Sequence, residues 1–280
     1  MKRSLFIPFI FLIFLVSPGV VLAQQSFQGK AHYQTKTTVD LSQFTRGRQQ
    51  PSPEQMKRFQ ERMKSFLEKQ YTLVFNKEES MYKEEEVLEA QSSGGGFGGF
   101  ASSFTSGPKY KNVKSKERLI EQEFFGKQFL IKDELIPIPW VMGNESKTIG
   151  NYTVFKATAT VPDTSFDLSS FRRSSEDKKS DEVEEEEPRT VDVVAWYSPQ
   201  IPVSQGPDNY WGLPGLILEV KAGNTIMLCT KIVMNPKEKD NIKKPEKGEI
   251  VTQEEYAKIT TEKMEEFRNN RGRRGGRGRG

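Results

Sequence analysis

The chain has 280 residues, of which 35% are hydrophobic and 29% are charged, and it contains one histidine and one cysteine. A single cysteine excludes an intrachain disulfide, and one histidine with one cysteine cannot supply the usual ligands of a transition-metal site. The net charge is +4, and six arginines lie from Arg268 onward. The basic character therefore belongs to the C-terminal tail, and the rest of the chain is mildly acidic.

The first 23 residues have the pattern of a cleavable secretory signal peptide. Two basic residues precede an apolar run from 5 to 16, and small residues before Gln24 fit a cleavage site. An uncleaved membrane anchor is the alternative, but the Pro18-Gly19 pair favours cleavage, and no later run is long and apolar enough to span a bilayer. We therefore expect an exported protein, in the periplasm or associated with the outer membrane.

A strand, a helix and two further strands are predicted after the signal. Alternation of apolar and polar residues from Phe27 to Val39 predicts a long strand with one polar face. Ser52 to Gln55 forms a capping-box pattern with proline at the first helical position. The helix then has an apolar stripe made of Met56, Phe59, Met63, Phe66 and Leu67. Strands are predicted again at 71–76 and 80–87.

Two segments of biased composition are predicted to be flexible insertions. Residues 92–107 are rich in glycine and serine but contain Phe97, Phe100 and Phe104, so a loop that contacts a partner is the alternative to simple disorder. Residues 169–188 are polar and include four consecutive glutamates, which favours a solvated segment. They lack the spaced ligands and turn glycine of a calcium-binding loop.

The remaining strands are predicted on either side of the second insertion. Tyr110–Phe125 and Gln128–Lys132 read as a hairpin, and Lys147–Val161 reads as one strand. Trp140 lies in a proline-rich extended segment and is expected to fill the core. Residues 190–197 continue the sheet, and 216–221 with 226–233 form a second hairpin.

These elements predict an α+β, β-dominated fold: a curved antiparallel sheet, built as a half-barrel-like meander, with two helices. We expect one β-rich domain at 24–250 and a C-terminal helix at 251–267 that begins with a Thr252–Glu255 capping box. The apolar stripe of this helix contains Tyr256, Ile259, Met264 and Phe267. The arginine-glycine tail at 268–280 is expected to be disordered.

Groups suited to catalysis are scarce in this sequence. Cys229 lies within a predicted strand without an evident base, so we expect a buried inert thiol. His32 lies on the polar face of its strand and is expected to be a solvated surface residue. Nucleophile-elbow and phosphate-loop motifs are missing. We therefore assign no catalytic residue, metal or cofactor, and a hydrolase that uses carboxylates remains an alternative.

The arginine-rich tail is a candidate contact for anionic surfaces or acidic protein patches. Its predicted contact residues are Arg271, Arg273, Arg274, Arg277 and Arg279. Such a tail would suggest RNA in a cytosolic protein, but an exported protein is not expected to bind nucleic acid. A plain flexible tail is the alternative.

The segment Asn209–Val220, NYWGLPGLILEV, predicts a tight corner that leads into a buried strand. Pro214 and Gly215 suit the two central positions of a type II turn, with a positive φ at Gly215. Gly212 would permit a close backbone approach. Leu216, Leu218 and Val220 are then predicted on one side of the sheet and Ile217 on the other. A structural corner is favoured, and a binding turn is the alternative.

The longer segment from Trp196 to Val220 resembles the signature of the GLPGLI family of exported proteins of gram-negative bacteria. The resemblance rests on Ile201-Pro202-Val203, Gly206-Pro207 and the motif Gly212–Ile217, and it extends over most of 27–236. It implies a location in the cell envelope and a β-rich fold. The family has no established activity, so the resemblance implies no reaction.

The leading hypothesis is a non-enzymatic envelope protein that binds a hydrophobic ligand or a protein partner, between the sheet and the helix at 56–67. The predicted ligand-binding residues are Trp140, Tyr210, Trp211, Leu213 and Pro214. Expected partners are a lipid, a lipoprotein or an outer-membrane protein. The second hypothesis is an accessory module of an outer-membrane transport or surface assembly, which would use the phenylalanine-containing loop and the basic tail.

Overall fold

The computed structural model describes residues 27–38, 52–85, 106–162, 190–238 and 240–275. The helices are α1 (Pro53–Leu67) and α2 (Gln253–Gly275). The strands are β1 (Gly29–Thr37), β2 (Glu68–Phe75), β3 (Glu79–Glu84), β4 (Ser106–Asn112), β5 (Glu117–Phe124), β6 (Lys127–Glu134), β7 (Val141–Ile149), β8 (Tyr152–Pro162), β9 (Thr190–Ser198), β10 (Leu216–Ala222), β11 (Thr225–Met234) and β12 (Glu249–Val251). The predicted insertions lie outside the described residues, except that Ser106 and Gly107 belong to β4.

All of these strands belong to one open, curved sheet in the order β12-β6-β5-β4-β3-β2-β1-β11-β10-β9-β8-β7. Neighbouring strands are antiparallel, apart from β12 and β6, which are parallel. The predicted fold class, a β-dominated curved antiparallel sheet with two helices, is therefore confirmed. Among the described helices, neither has a stretch long and apolar enough to cross a bilayer.

Two segments that we predicted as single strands are each divided by a turn. Tyr110–Phe125 is divided after β4, because Asn112 Oδ1 accepts hydrogen bonds from the main-chain N–H groups of Lys114 (3.0 Å) and Ser115 (2.8 Å). Lys147–Val161 is divided at Gly150, where φ is +58°. Asparagine favours turns because its side chain accepts main-chain hydrogen bonds, and glycine favours them because it adopts a positive φ without steric cost. The sequence therefore contained a typical turn residue at both places.

Helix α1 begins as predicted, with a complete capping box. Ser52 Oγ accepts from the Gln55 N–H at 3.3 Å, and the Ser52 N–H donates to Gln55 Oε1 at 2.9 Å. The helix contacts β1 and β2. The side chains of Met56, Phe59, Met63 and Phe66 lie outside the described part of the chain, so the predicted ligand site between helix and sheet stays a prediction.

Helix α2 also begins at its predicted capping box, in which the Thr252 N–H donates to Glu255 Oε2 at 2.8 Å. It continues to Gly275 instead of ending at 267, and therefore includes the first part of the predicted tail. Tyr256, Ile259 and Met264 pack against a cluster that contains Phe129 and is formed by β5, β6 and β12. The side chains of Phe267 and the tail arginines lie outside the described residues.

Strand β10 places its apolar side chains in two different core clusters. Leu216 and Leu218 join the first cluster, together with Tyr33, Leu73 and Phe75. Ile217 and Val220 join the second cluster, together with Leu213 and Tyr197. The prediction that Val220 shares a side with Leu216 is wrong, because a β-bulge between Ile217 and Glu219 shifts the register by one residue.

Candidate functional site

The segment 199–215, which we call the β9–β10 loop, covers one face of the sheet as far as β4. Lys111 Nζ donates to the main-chain carbonyls of Gly206 (2.8 Å) and Tyr210 (3.0 Å), and Lys109 forms an ion pair with Asp208. Strands β3, β2, β1 and β11 separate β4 from β10 in the sheet. The loop therefore crosses four strands and closes over the first core cluster.

Main-chain hydrogen bonds fold this loop onto itself and onto β10. The Leu216 N–H donates to the Ile201 carbonyl at 3.0 Å, and the Ile217 N–H donates to the Gln205 carbonyl at 3.1 Å. On the sheet side, Tyr33 Oη donates to the Ile217 carbonyl at 2.6 Å. Buried backbone groups are thereby satisfied, as a loop inside the protein requires.

The glycines of the corner have roles opposite to those predicted. Gly212 has a positive φ of +95°, whereas Gly215 is not in the left-handed region, so the predicted positive φ at Gly215 is wrong. A Cβ on Gly215 would lie 2.3 Å from the Ser198 carbonyl oxygen, closer than any tolerated contact. Gly215 is therefore required for a close backbone approach, and Gly212 is required for its conformation.

Two tryptophans tie the 135–140 segment to the β9–β10 loop. Trp140 Nε1 donates to the Trp211 carbonyl at 2.7 Å, and Trp211 Nε1 donates to the Ile136 carbonyl at 3.2 Å. We call this reciprocal pair the tryptophan clasp. Trp140 also packs against the second core cluster, in agreement with its predicted core role.

The structure brings most of the predicted ligand-binding residues together, but their side chains pack in or against the core. Leu213 is fully buried in the second cluster, Trp140 and Tyr210 pack against that cluster, and Trp211 is buried. Pro214 is exposed at the corner. Two open pockets lie elsewhere, one lined by Lys132, Ile250 and Thr252 among others, and the second near Gln28, Asn76 and Asp240. This arrangement favours the structural-corner interpretation, and the ligand-binding role of these residues stays a prediction.

Lys111 is the feature of the site that sequence reasoning missed. Its side chain is fully buried, and burial lowers its pKa from 10.5 to about 7; nearby Asp208 raises the pKa and Lys109 lowers it. Lysine in a strand normally places its ammonium in water. Burial here depends on a loop almost one hundred residues later in the chain, and no local pattern reveals that contact.

The burial of Cys229 agrees with its prediction, whereas the surroundings of His32 do not. Cys229 is buried, as predicted, and burial raises the pKa of its thiol to about 12; its predicted inertness stays a prediction. His32 is not simply solvated: it is half-buried, and its Nδ1 lies 2.6 Å from Glu85 Oε1. In the described ranges, no group of three or more histidine, cysteine, aspartate or glutamate side chains is placed to hold a metal ion.

Comparison with known proteins gives one family match and a low structural similarity. The family described as a protein of unknown function (Porph_ging) matches residues 140–219, a segment that contains both residues of the tryptophan clasp. No curated protein matches the chain. The match does not name the GLPGLI family, so that resemblance remains an expectation.

Solved structures of PNGF-II in two crystal forms, C2 and P21, are similar to this chain with a TM-score of 0.47 in each case. Sequence identity is 14% and 13%, and the alignments cover 83% of this chain. They cover 32% and 33% of the PNGF-II chain. This chain thus spans about a third of the length of PNGF-II.

Replacing Gly215 by alanine is expected to destabilise the fold by about 1–3 kcal/mol or more, because the new methyl group overlaps the Ser198 carbonyl. Gly143→Ala is the matched control, since its Cβ would lie 3.4 Å from the nearest atom. Urea unfolding of the two variants gives the comparison. Equal free energies of unfolding for both variants would contradict the close approach at Gly215.

Lys111 is expected to make stability rise with pH between about pH 7 and 8.5. Its folded-state pKa of about 7 lies below the ordinary value of 10.5, so in this window the unfolded chain binds more protons than the folded chain. The free energy of unfolding should increase by up to about 1.4 kcal/mol per pH unit. Above this window, ionisation of the unfolded Cys229 thiol acts in the opposite direction.

The Lys111→Met variant tests this expectation, because it removes the titrating amine while keeping an unbranched side chain. Urea unfolding at several pH values should show a flatter dependence for this variant. Lys114→Met, at an exposed turn position, should keep the slope of the unmodified protein. A slope that persists in Lys111→Met would show that another group is responsible.

Proposed function

We propose that this protein is exported to the cell envelope, where it binds a protein partner without catalysing a reaction. The observation that carries the proposal is that three large apolar side chains of one short segment, Ile136, Val141 and Met142, are 75%, 67% and 59% exposed. Large apolar side chains exposed in one short segment mark a surface for contact with another molecule. We call these three residues the edge patch.

The position of the edge patch favours a polypeptide as its partner. Val141 and Met142 begin β7, which is the last strand of the sheet and pairs with β8. An edge strand presents unpaired main-chain groups, and an extended segment of another protein can hydrogen-bond to them while its side chains contact the apolar residues. The tryptophan clasp holds the start of β7 in place, so the patch is preorganised for such a contact.

The packing of the core supports a surface contact over an enclosed lipid site. The β9–β10 loop occupies the sheet face above the first core cluster, and Leu213 fills the second cluster. A bound lipid there would have to displace these side chains. We therefore propose a lipoprotein or an outer-membrane protein as the partner, which corresponds to an accessory role in an envelope assembly.

A photo-crosslinking amino acid at position 142 is expected to form a covalent adduct with a protein partner in intact cells. The matched control is position 250, because Ile250 is 67% exposed, against 59% for Met142, and lies on β12 at the opposite edge of the sheet. Adducts are identified by mass on denaturing gels and by mass spectrometry. Equal adducts from both positions, or lipid alone at position 142, would refute the proposed partner contact.

Export is expected to produce a mature protein that begins near Gln24, because the first 23 residues have the pattern of a cleavable leader. Fractionation followed by mass spectrometry of the N-terminal peptide measures both the compartment and the cleavage site. The protein should be recovered with the periplasm or the outer membrane. Recovery of the uncleaved chain from the cytosol would contradict this part of the proposal and would leave the crosslinking result to be judged separately.

A further inference from the structure

Lys111 is a buried cation that forms no ion pair with any carboxylate of the described residues. On the same face of the sheet, Lys109 pairs with Asp208, and Lys69 pairs with Glu84 at 2.8 Å. In the described part of the chain, Lys111 Nζ donates to the carbonyls of Gly206 and Tyr210. Carbonyl dipoles alone compensate a buried ammonium incompletely, because much of its hydration free energy is lost.

Three residues that neighbour Lys111 in register, or neighbour its carbonyl partners in sequence, have buried polar atoms that pair with no group of the described residues. These atoms are Ser80 Oγ, both side-chain polar atoms of Gln205, and Asn209 Oδ1. Ser80 lies opposite Lys111 in the β3–β4 register. Gln205 and Asn209 directly precede the two residues whose carbonyls accept from Lys111. Buried polar groups are normally paired, and two of these atoms, Ser80 Oγ and Gln205 Nε2, are hydrogen-bond donors that a bound acceptor could satisfy.

We propose that a small monoanion binds beneath the β9–β10 loop, between Lys111, Gln205 and Ser80. Lys111 has one N–H left after its two carbonyl contacts, the Gln205 amide offers two N–H groups, and Ser80 offers a hydroxyl. A monoanion that accepts these hydrogen bonds makes the site electrically neutral. Chloride and formate share this chemistry, since both are small and carry one charge.

Binding of the anion should depend on the protonation of Lys111. Burial lowers the pKa of this amine to about 7, and an anion in the site favours the protonated form. The other titratable groups facing it are Lys109 and Asp208, which are paired, and Tyr82, whose pKa burial raises well above 10. Affinity should therefore be highest below pH 7 and should fall as the pH rises through about 8.

The first test measures thermal unfolding of the full chain at pH 6.5, with chloride replacing gluconate at constant ionic strength. Gluconate is too large for the site. At a chloride concentration of about ten times Kd, the Tm should rise by roughly 2–4 °C, and the rise should be much smaller at pH 8.5. Broadening of the chloride-35 NMR line by the protein gives a direct measurement that does not depend on stability.

Three variants make the test specific. Lys111→Met should abolish both the chloride-dependent Tm rise and the line broadening. Gln205→Leu keeps the lysine but removes the amide donors, and it should weaken both effects even if Lys111→Met fails to fold. Lys114→Met removes an exposed charge and should behave like the unmodified protein, which controls for general salt effects.

A formate titration shows whether the site binds small carboxylates as well as halides. Reversal of the chloride line broadening by formate would assign the site to small carboxylates as well as halides, whereas no reversal would restrict it to halides. The proposal is overturned if chloride and gluconate give the same Tm and the chloride line is not broadened. It is also overturned if Gln205→Leu and Lys111→Met respond to chloride as the unmodified protein does. The outcome is independent of the partner surface on β7.

Discussion

The close approach of Gly215 to the Ser198 carbonyl decides where the chain returns to the sheet after the β9–β10 loop. Any side chain at 215 would separate these backbones, and the adjacent hydrogen bond from the Leu216 N–H to the Ile201 carbonyl depends on the same approach. Once the chain turns here, the loop must extend away from β10 and across the sheet. The burial of Lys111, the tryptophan clasp and the two core clusters all follow from that path.

On the sheet face beneath the β9–β10 loop, apolar side chains and the Lys111 ammonium contribute differently to stability. Each fully buried residue such as Leu213 or Ile217 contributes about 1.5–3 kcal/mol, so the loop is stabilised mainly by its apolar side chains. Burying the Lys111 ammonium costs several kcal/mol, and two hydrogen bonds from a charged donor return about 1.5–3 kcal/mol each. The two hydrogen bonds offset only part of the cost, since burial still lowers the pKa of Lys111 to about 7. Lys111 is therefore no net source of stability, and a role in binding or in specifying the loop position accounts for it better.

Local patterns predicted the elements of this fold far better than its tertiary contacts. Alternation located β1, and both helix starts were readable because Ser52 and Thr252 form capping boxes whose partners lie within three residues. The bulge in β10 was not predictable, because it depends on the register with β9. The role of Gly215 was also not predictable from local sequence. We assigned it a turn conformation, whereas a side chain at this position is excluded by the Ser198 carbonyl at the end of β9.

The candidate site shows the same limit of sequence reasoning. The sequence around Tyr110 does not show which face of the strand is directed toward the core. In the structure both faces of β4 are covered. Tyr110 joins one core cluster, and Lys111 lies on the other face, under the β9–β10 loop. Trp140 was predicted to fill the core, and Trp140 and Trp211 were both predicted to bind a ligand, because large aromatic side chains suit either role. The hydrogen bonds from Trp140 to the Trp211 carbonyl and from Trp211 to the Ile136 carbonyl join residues about seventy positions apart, and only the folded chain shows them.

The two open edges of the sheet are protected to different degrees, and this difference supports the start of β7 as the proposed contact surface. At one edge, β12 has three residues, and Lys127 pairs with Glu249 there; short, charged edges resist pairing with other strands. At the other edge, β7 has nine residues. Its pairing with β8 is irregular between Met142 and Ser146, and Lys147 and Glu145 form ion pairs along its second half. Bulges and charges protect that half, so the unprotected apolar residues are Val141 and Met142, next to the tryptophan clasp.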